Sequence, residues 1–113
     1  MEFNHYQDYA LSTRSYPDVG NNTIYPALKL AGEAGEVADK IGKWWRNHEI
    51  TKGSEYSPEQ IEALVLELGD VLWYIAALSD EIGINLDYIA IKNLAKLKDR
   101  KDRGVIKSEG DNR

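Results

Sequence analysis

Apolar residues recur along this chain three and four apart, and nowhere do they alternate with polar ones over a strand's length. The pattern and its punctuation predict four helices. The first covers residues 4–15, with Asn4 as cap and Gln7 three residues on, and stops before the turn-rich Tyr16-Pro17-Asp18-Val19-Gly20-Asn21-Asn22. The second runs from Ile24 to Asn47, opened by Thr23, with Pro26 tolerated in its first turn. The third has the clearest start signal, Ser57-Pro58-Glu59-Gln60: Ser57 caps, Pro58 fits the first helical position and Gln60 closes a capping box. Tyr56 and Ile61 are spaced for a hydrophobic staple. That helix ends near Gly83, and Asn85 opens a fourth from Leu86 to about Arg103. The expected class is all-α, a bundle of four to five helices.

Helical phase then separates core from flank. On the second helix Leu30, Ala34, Val37, Ala38, Ile41 and Trp44 share one arc; on the third Ile61, Leu64, Val65, Leu68, Val71, Leu72 and Ile75 do. Leu66, Trp73, Ala76 and Ala77 make the back of the third helix apolar as well. A helix apolar nearly all round is buried all round. A second copy of the chain is therefore expected to complete the core, as a homodimer or a dimer of dimers; the other reading is that the first helix covers that side alone. On the fourth helix Leu86, Ala90, Leu94 and Leu97 form a seam, flanked within about 60° by Asn93, Lys96 and Arg100. That stripe is either an anion-contacting edge or an ordinary snorkelling border.

Charge sharpens the picture. Residues 1–91 carry 6 Lys+Arg against 15 Asp+Glu, whereas residues 92–113 carry 8 against 4. An acidic body with a cationic end argues against general nucleic-acid binding and suits a smaller anion held between metal ions and a few cations. The expected organisation is one domain over residues 1–103 and a basic, polar tail over 104–113. With no cysteine, disulfides, zinc–thiolate sites and thiol nucleophiles are excluded. No leader and no membrane-length apolar run is seen, so a soluble, cytoplasmic protein without membrane contact is expected.

Two acidic pairs carry the candidate chemistry: Glu33-Ala34-Gly35-Glu36 and Glu67-Leu68-Gly69-Asp70. Carboxylates three apart share a helical face, because three residues turn about 300°. Both pairs border the core arcs, where uncompensated charge costs several kcal/mol per ion. Two such helices side by side would gather four hard oxygen ligands, the environment that Mg²⁺ or Mn²⁺ prefers. Lys40 lies between Glu33 and Glu36 in phase, one turn further along.

The runs Leu30-Ala31-Gly32-Glu33-Ala34-Gly35-Glu36-Val37 and Glu67-Leu68-Gly69-Asp70-Val71-Leu72-Trp73-Tyr74 closely resemble the MazG-like nucleotide pyrophosphohydrolases of the all-α NTP pyrophosphatase superfamily, whose signature is E-x-x-E followed by E-x-x-D. Asn93-Leu94-Ala95-Lys96-Leu97 through Arg100, Arg103-Gly104 and Gly110-Asp111-Asn112-Arg113 also resemble that family. The resemblance implies a Mg²⁺-dependent hydrolase that converts a nucleoside or deoxynucleoside triphosphate to monophosphate and pyrophosphate, with Glu33, Glu36, Glu67 and Asp70 as metal ligands. Glu36 and Glu67 are the catalytic candidates, Glu36 the first choice as general base. Asn93, Lys96 and Arg100, helped by Lys40 or Lys43, are the phosphate-binding candidates, and Trp44 and Tyr74 the base or sugar contacts. The chain departs from the family in a long, 30-residue gap between Glu36 and Glu67 and in a tail with little glycine at Lys107-Ser108-Glu109-Gly110.

Three alternatives bear on this reading. A ferritin-like di-iron bundle needs a Glu-x-x-His element on each of two helices, and only Glu2-Phe3-Asn4-His5 has that spacing, since Trp45 stands three before His48. A phosphoribosyl-ATP pyrophosphatase would share the fold and the metal site. A non-catalytic helical dimerisation module would gain nothing from four like charges held together.

Overall fold

The computed structural model describes residues 1–104; the segment from Val105 on, including the family-like Gly110-Asp111-Asn112-Arg113, lies outside the described residues. The described chain is all-helical: α1 (Phe3–Leu11), α2 (Ile24–Arg46), α3 (Pro58–Glu81) and α4 (Leu86–Asp102). No strand occurs among the described residues.

Local chemistry explains the boundaries. At α3 the capping box forms as expected: Gln60 N–H donates to Ser57 Oγ at 3.0 Å and Ser57 N–H to Gln60 Oε1 at 2.9 Å. Asn85 caps α4 by accepting from Tyr88 N–H at 2.9 Å. Gly83, at φ +80°, takes the left-handed conformation that ends α3, and Ile84 N–H reaches back to the Ser79 carbonyl at 2.9 Å.

Two caps differ from expectation. Thr23 has helical backbone angles and makes no side-chain cap; Asn22 does the work, accepting from Tyr25 N–H at 3.1 Å. Asn4 and Gln7 form no capping box. The Asn4 amide oxygen accepts from Asp87 N–H at 3.2 Å instead. Gln7 is buried, donating to the Ala76 carbonyl at 3.1 Å and accepting from Leu86 N–H at 3.0 Å. These side chains stitch α1 to the α3–α4 turn. Helix α1 also stops at Leu11, short of residue 15, where the Ser12 and Thr13 hydroxyls turn back onto the Tyr9 and Ala10 carbonyls.

Helices α2 and α3 pack as an antiparallel hairpin. Pairings run from Tyr25–Tyr74 at one end, through Lys40–Glu67, to Trp44–Tyr56 at the other. The C-terminal half of α3 receives α1 and α4 around Ala10, Ala76 and Leu86, with Tyr6, Trp73, Ile75 and Ile89 packed against them. Helix α1 thus covers Trp73 and Ala76 of the α3 back, and Ala77 is buried as well, but Leu66 stays 63% exposed. Ile61, Val65 and Leu68 of the expected core arc are also open.

The α4 seam holds only at its start. Leu86 is buried and Ala90 half-buried, whereas Leu94 is 66% exposed and Leu97 is exposed too. Among the described residues helix α4 packs on α1 and α3, and its backbone does not come close to α2. The reason is geometric: anchored at the α3–α4 turn, α4 leaves the hairpin as it proceeds. The Cα radius of gyration is 16.8 Å, against roughly 13 Å for a compact chain of about this length.

Candidate functional site

Facing flanks of α2 and α3 bring three carboxylates together. Glu33 on α2 and Glu67 and Asp70 on α3 each place an oxygen so that all three lie within 4.8 Å of one another. Glu33 and Glu67 are half-buried, Asp70 exposed. Lys40, nearly two turns beyond Glu33, sets its Nζ 3.5 Å from Glu67 Oε1. Three anions against one cation leave net negative charge, and hard oxygens at this separation suit a hard divalent cation.

Glu36 stands outside this trio. It lies about 60° round α2 from Glu33 and is exposed. The helix turns it toward the solvent edge of the same face.

Phenols border the carboxylates. Tyr74 and Trp73 line a depression of about 270 Å³ with Glu33 and Asp70. Burial pushes the Tyr74 hydroxyl up to about 12, reinforced by a hydrogen bond with Tyr25 and by the charges of Tyr25, Glu33 and Asp70. Tyr6 on α1 is likewise raised, by burial first and then by the charge of Asp70. Tyr25 stacks on Tyr16 with ring centres 5.2 Å apart and planes at 19°. The indole of Trp73 meets Tyr74 edge-on at 4.8 Å.

The other sequence candidates lie elsewhere. Trp44 packs edge-on against Tyr56 at 6.2 Å and sits roughly 16 Å along the α2 axis from Glu33, at 1.5 Å per residue. Lys43 is exposed on the same end of α2. Asn93 and Lys96 line a larger depression of about 590 Å³ with Ile84, Tyr88, Ile89 and Lys92. That depression carries no carboxylate, so its size does not make it the chemical centre. Arg100 is buried, at 5% exposure. Because the α4 backbone keeps away from α2, these α4 groups are not joined to the α2 carboxylate among the described residues.

Two neighbours escaped the sequence reading. Tyr25 precedes Glu33 by two helical turns, so its phase was a usable signal, about 80° from Glu33. Tyr6 gave no such signal, since its place beside Asp70 depends on how α1 docks.

Comparison with known proteins accords with this geometry. The MazG nucleotide pyrophosphohydrolase domain matches residues 22–105, which span both acidic pairs. The Gene 37 protein of Mycobacterium phage L5 is 40% identical over 118 residues, an alignment covering the whole of both chains. No solved structure matches the chain. The matched domain spans most of the sequence, and its acidic signature forms a carboxylate cluster here; the chain therefore belongs to the MazG nucleotide pyrophosphohydrolase family.

Proposed function

We propose that this protein is a Mg²⁺-dependent nucleoside triphosphate pyrophosphohydrolase, releasing monophosphate and pyrophosphate from an NTP or dNTP. The observation that carries the reading is the carboxylate trio of Glu33, Glu67 and Asp70, within 4.8 Å, inside a MazG domain. These residues would hold Mg²⁺, with Mn²⁺ able to substitute; when bound, it neutralises phosphate charge and polarises water. The residues fit because three clustered carboxylates have one nearby cation, Lys40, to balance them.

In the proposed reaction, a water oxygen bonds to the α-phosphorus while the bond from that phosphorus to the bridging oxygen breaks, and pyrophosphate leaves with the electron pair. Glu36 is assigned the water's proton, being the member of the signature that stands outside the trio. Lys40 pairs with Glu67 and holds its carboxylate toward the trio. Tyr74 and Trp73 border the depression where a nucleoside would lie, since an aromatic face stacks on any base.

A homodimer or dimer of dimers completes this proposal. The exposed α3 residues Ile61, Val65, Leu66 and Leu68 and the open α4 seam at Leu94 support a second copy. Through such an assembly Asn93 and Lys96 serve a carboxylate site of the other copy, whereas the buried Arg100 holds its own helix.

The test is product analysis on a panel of canonical and modified NTPs and dNTPs, with Mg²⁺ and with EDTA. Similarity to a mycobacteriophage protein makes the deoxynucleotides the first to run. Metal-dependent monophosphate plus pyrophosphate is expected. Diphosphate plus phosphate, or no turnover by a folded protein, would overturn the assignment.

A further inference from the structure

One carboxylate fastens the connection between α1 and α2. Glu81 closes the last turn of α3, and its side chain is fully buried, at 0% exposure. It accepts hydrogen bonds from the Tyr16 hydroxyl, from Gly20 N–H at 2.9 Å and from Asn22 N–H at 3.0 Å. The Arg14 guanidinium stands 3.6 Å away and also pairs with Asp80 at 2.9 Å. Charge-assisted bonds from so many points of one connection fix where it lies. None of these groups has a part in the chemistry assigned above.

Two routes lead from Glu81 toward the carboxylate trio, and both arrive at Tyr25. Tyr16, held by its hydroxyl, stacks its ring on Tyr25. Asn22, held by its N–H, caps α2 by accepting from the Tyr25 N–H at 3.1 Å. Tyr25 in turn packs its ring against that of Tyr74, with centres 6.4 Å apart and planes at 51°, and Tyr74 lines the depression beside Glu33 and Asp70. Trp73, the other aromatic wall, donates its indole N–H to Thr13 at 2.9 Å and so touches the same connection.

We propose that Glu81 is a positioning residue of the site: through Tyr16 and Asn22 it places Tyr25, and through Tyr25 the Tyr74 ring that borders the nucleoside position. The proposal rests on the pyrophosphohydrolase reading. Its signature is a substrate-binding defect without a chemical one, because the carboxylates themselves are held by α2 and α3.

Glu81→Gln keeps the shape of the side chain but turns an NH₂ toward groups that are themselves donors. Two readouts decide: ring-to-ring NOEs of Tyr16–Tyr25 and Tyr25–Tyr74 in the metal-free protein, and KM against kcat for pyrophosphate release with Mg²⁺. The expected variant is fully helical, lacks the Tyr25–Tyr74 NOE, and shows KM raised about tenfold with kcat within about twofold of the parent. Tyr16→Phe, which removes a single donor, should move KM the same way by about threefold, and it carries the test if Glu81→Gln does not fold. Retained NOEs, or lost NOEs with an unchanged KM, would overturn the proposal. A parent protein that turns over no nucleotide would instead sink the pyrophosphohydrolase reading, and the NOE comparison would still decide whether Glu81 places Tyr25.

Discussion

Three like charges within 4.8 Å, eased by one lysine, set the character of the site. Replacing Glu67 with Gln should cut turnover at least ~100-fold while leaving circular dichroism unchanged; loss of the helical signal would make Glu67 structural instead. Lys40→Met should cost the metal-free protein under about 1 kcal/mol, since the pair is partly exposed. It should also enlarge the Mg²⁺-induced rise in Tm, because the metal then has no competitor for Glu67. Equal Tm shifts in the two proteins would place the metal away from this carboxylate. At Glu81, the Tyr16 hydrogen bond holds the carboxyl below its usual range; burial opposes this, and the Asn22 and Gly20 N–H groups and the Arg14 charge add to it. A depressed folded-state value means that the ionised form stabilises the fold above the unfolded value, near about 4.3, and that this contribution is lost as pH falls through the folded value. Urea titrations from neutral to acid pH should therefore show a shallower acid decline for Glu81→Gln than for the parent.

Each helix boundary draws on a different reserve of hydrogen bonds. Ser57→Ala removes a local cap and should cost about 1 kcal/mol in urea unfolding. Gln7→Ala should cost more, about 2–3 kcal/mol, because it strands the buried N–H of Leu86 and removes a second hydrogen bond from the buried Ala76 carbonyl. A smaller cost at Gln7 than at Ser57 would mean that water reaches the α3–α4 turn. The same contrast explains why one capping motif was legible and the other was not. Ser57 and Gln60 find each other within one turn. Asn4 and Gln7 have the same three-residue spacing, yet both are drawn away by partners on the far side of the molecule.

Across the described residues, apolar surface outruns what four helices cover. Leu66 and Leu94 stay open on helices that are otherwise engaged, and the radius of gyration exceeds that of a compact chain. Under the proposed assembly, light scattering should give the mass of a dimer or tetramer. Lysine at both Leu66 and Leu94 should reduce it to that of one chain and raise KM, since the α4 cations would no longer meet a site. A parent protein that is monomeric at micromolar concentration would remove the assembly from the proposal.

Periodicity and punctuation alone determined the number and order of the helices, the start of α3 at Pro58, the cap of α4 and the half-buried placement of Glu33 and Glu67. All of these follow from interactions within one or two turns, which local spacing encodes. The tertiary structure decided which carboxylates meet, separating Glu36 from Glu33, Glu67 and Asp70, and it brought Tyr6 and Tyr25 to them. It also carried Asn93 and Lys96 away with α4 and made Glu81 the anchor of a connection more than fifty residues earlier in sequence. Those outcomes depend on how one helix docks on another, and the docking follows from shape and burial over the whole surface, which no stretch of sequence contains.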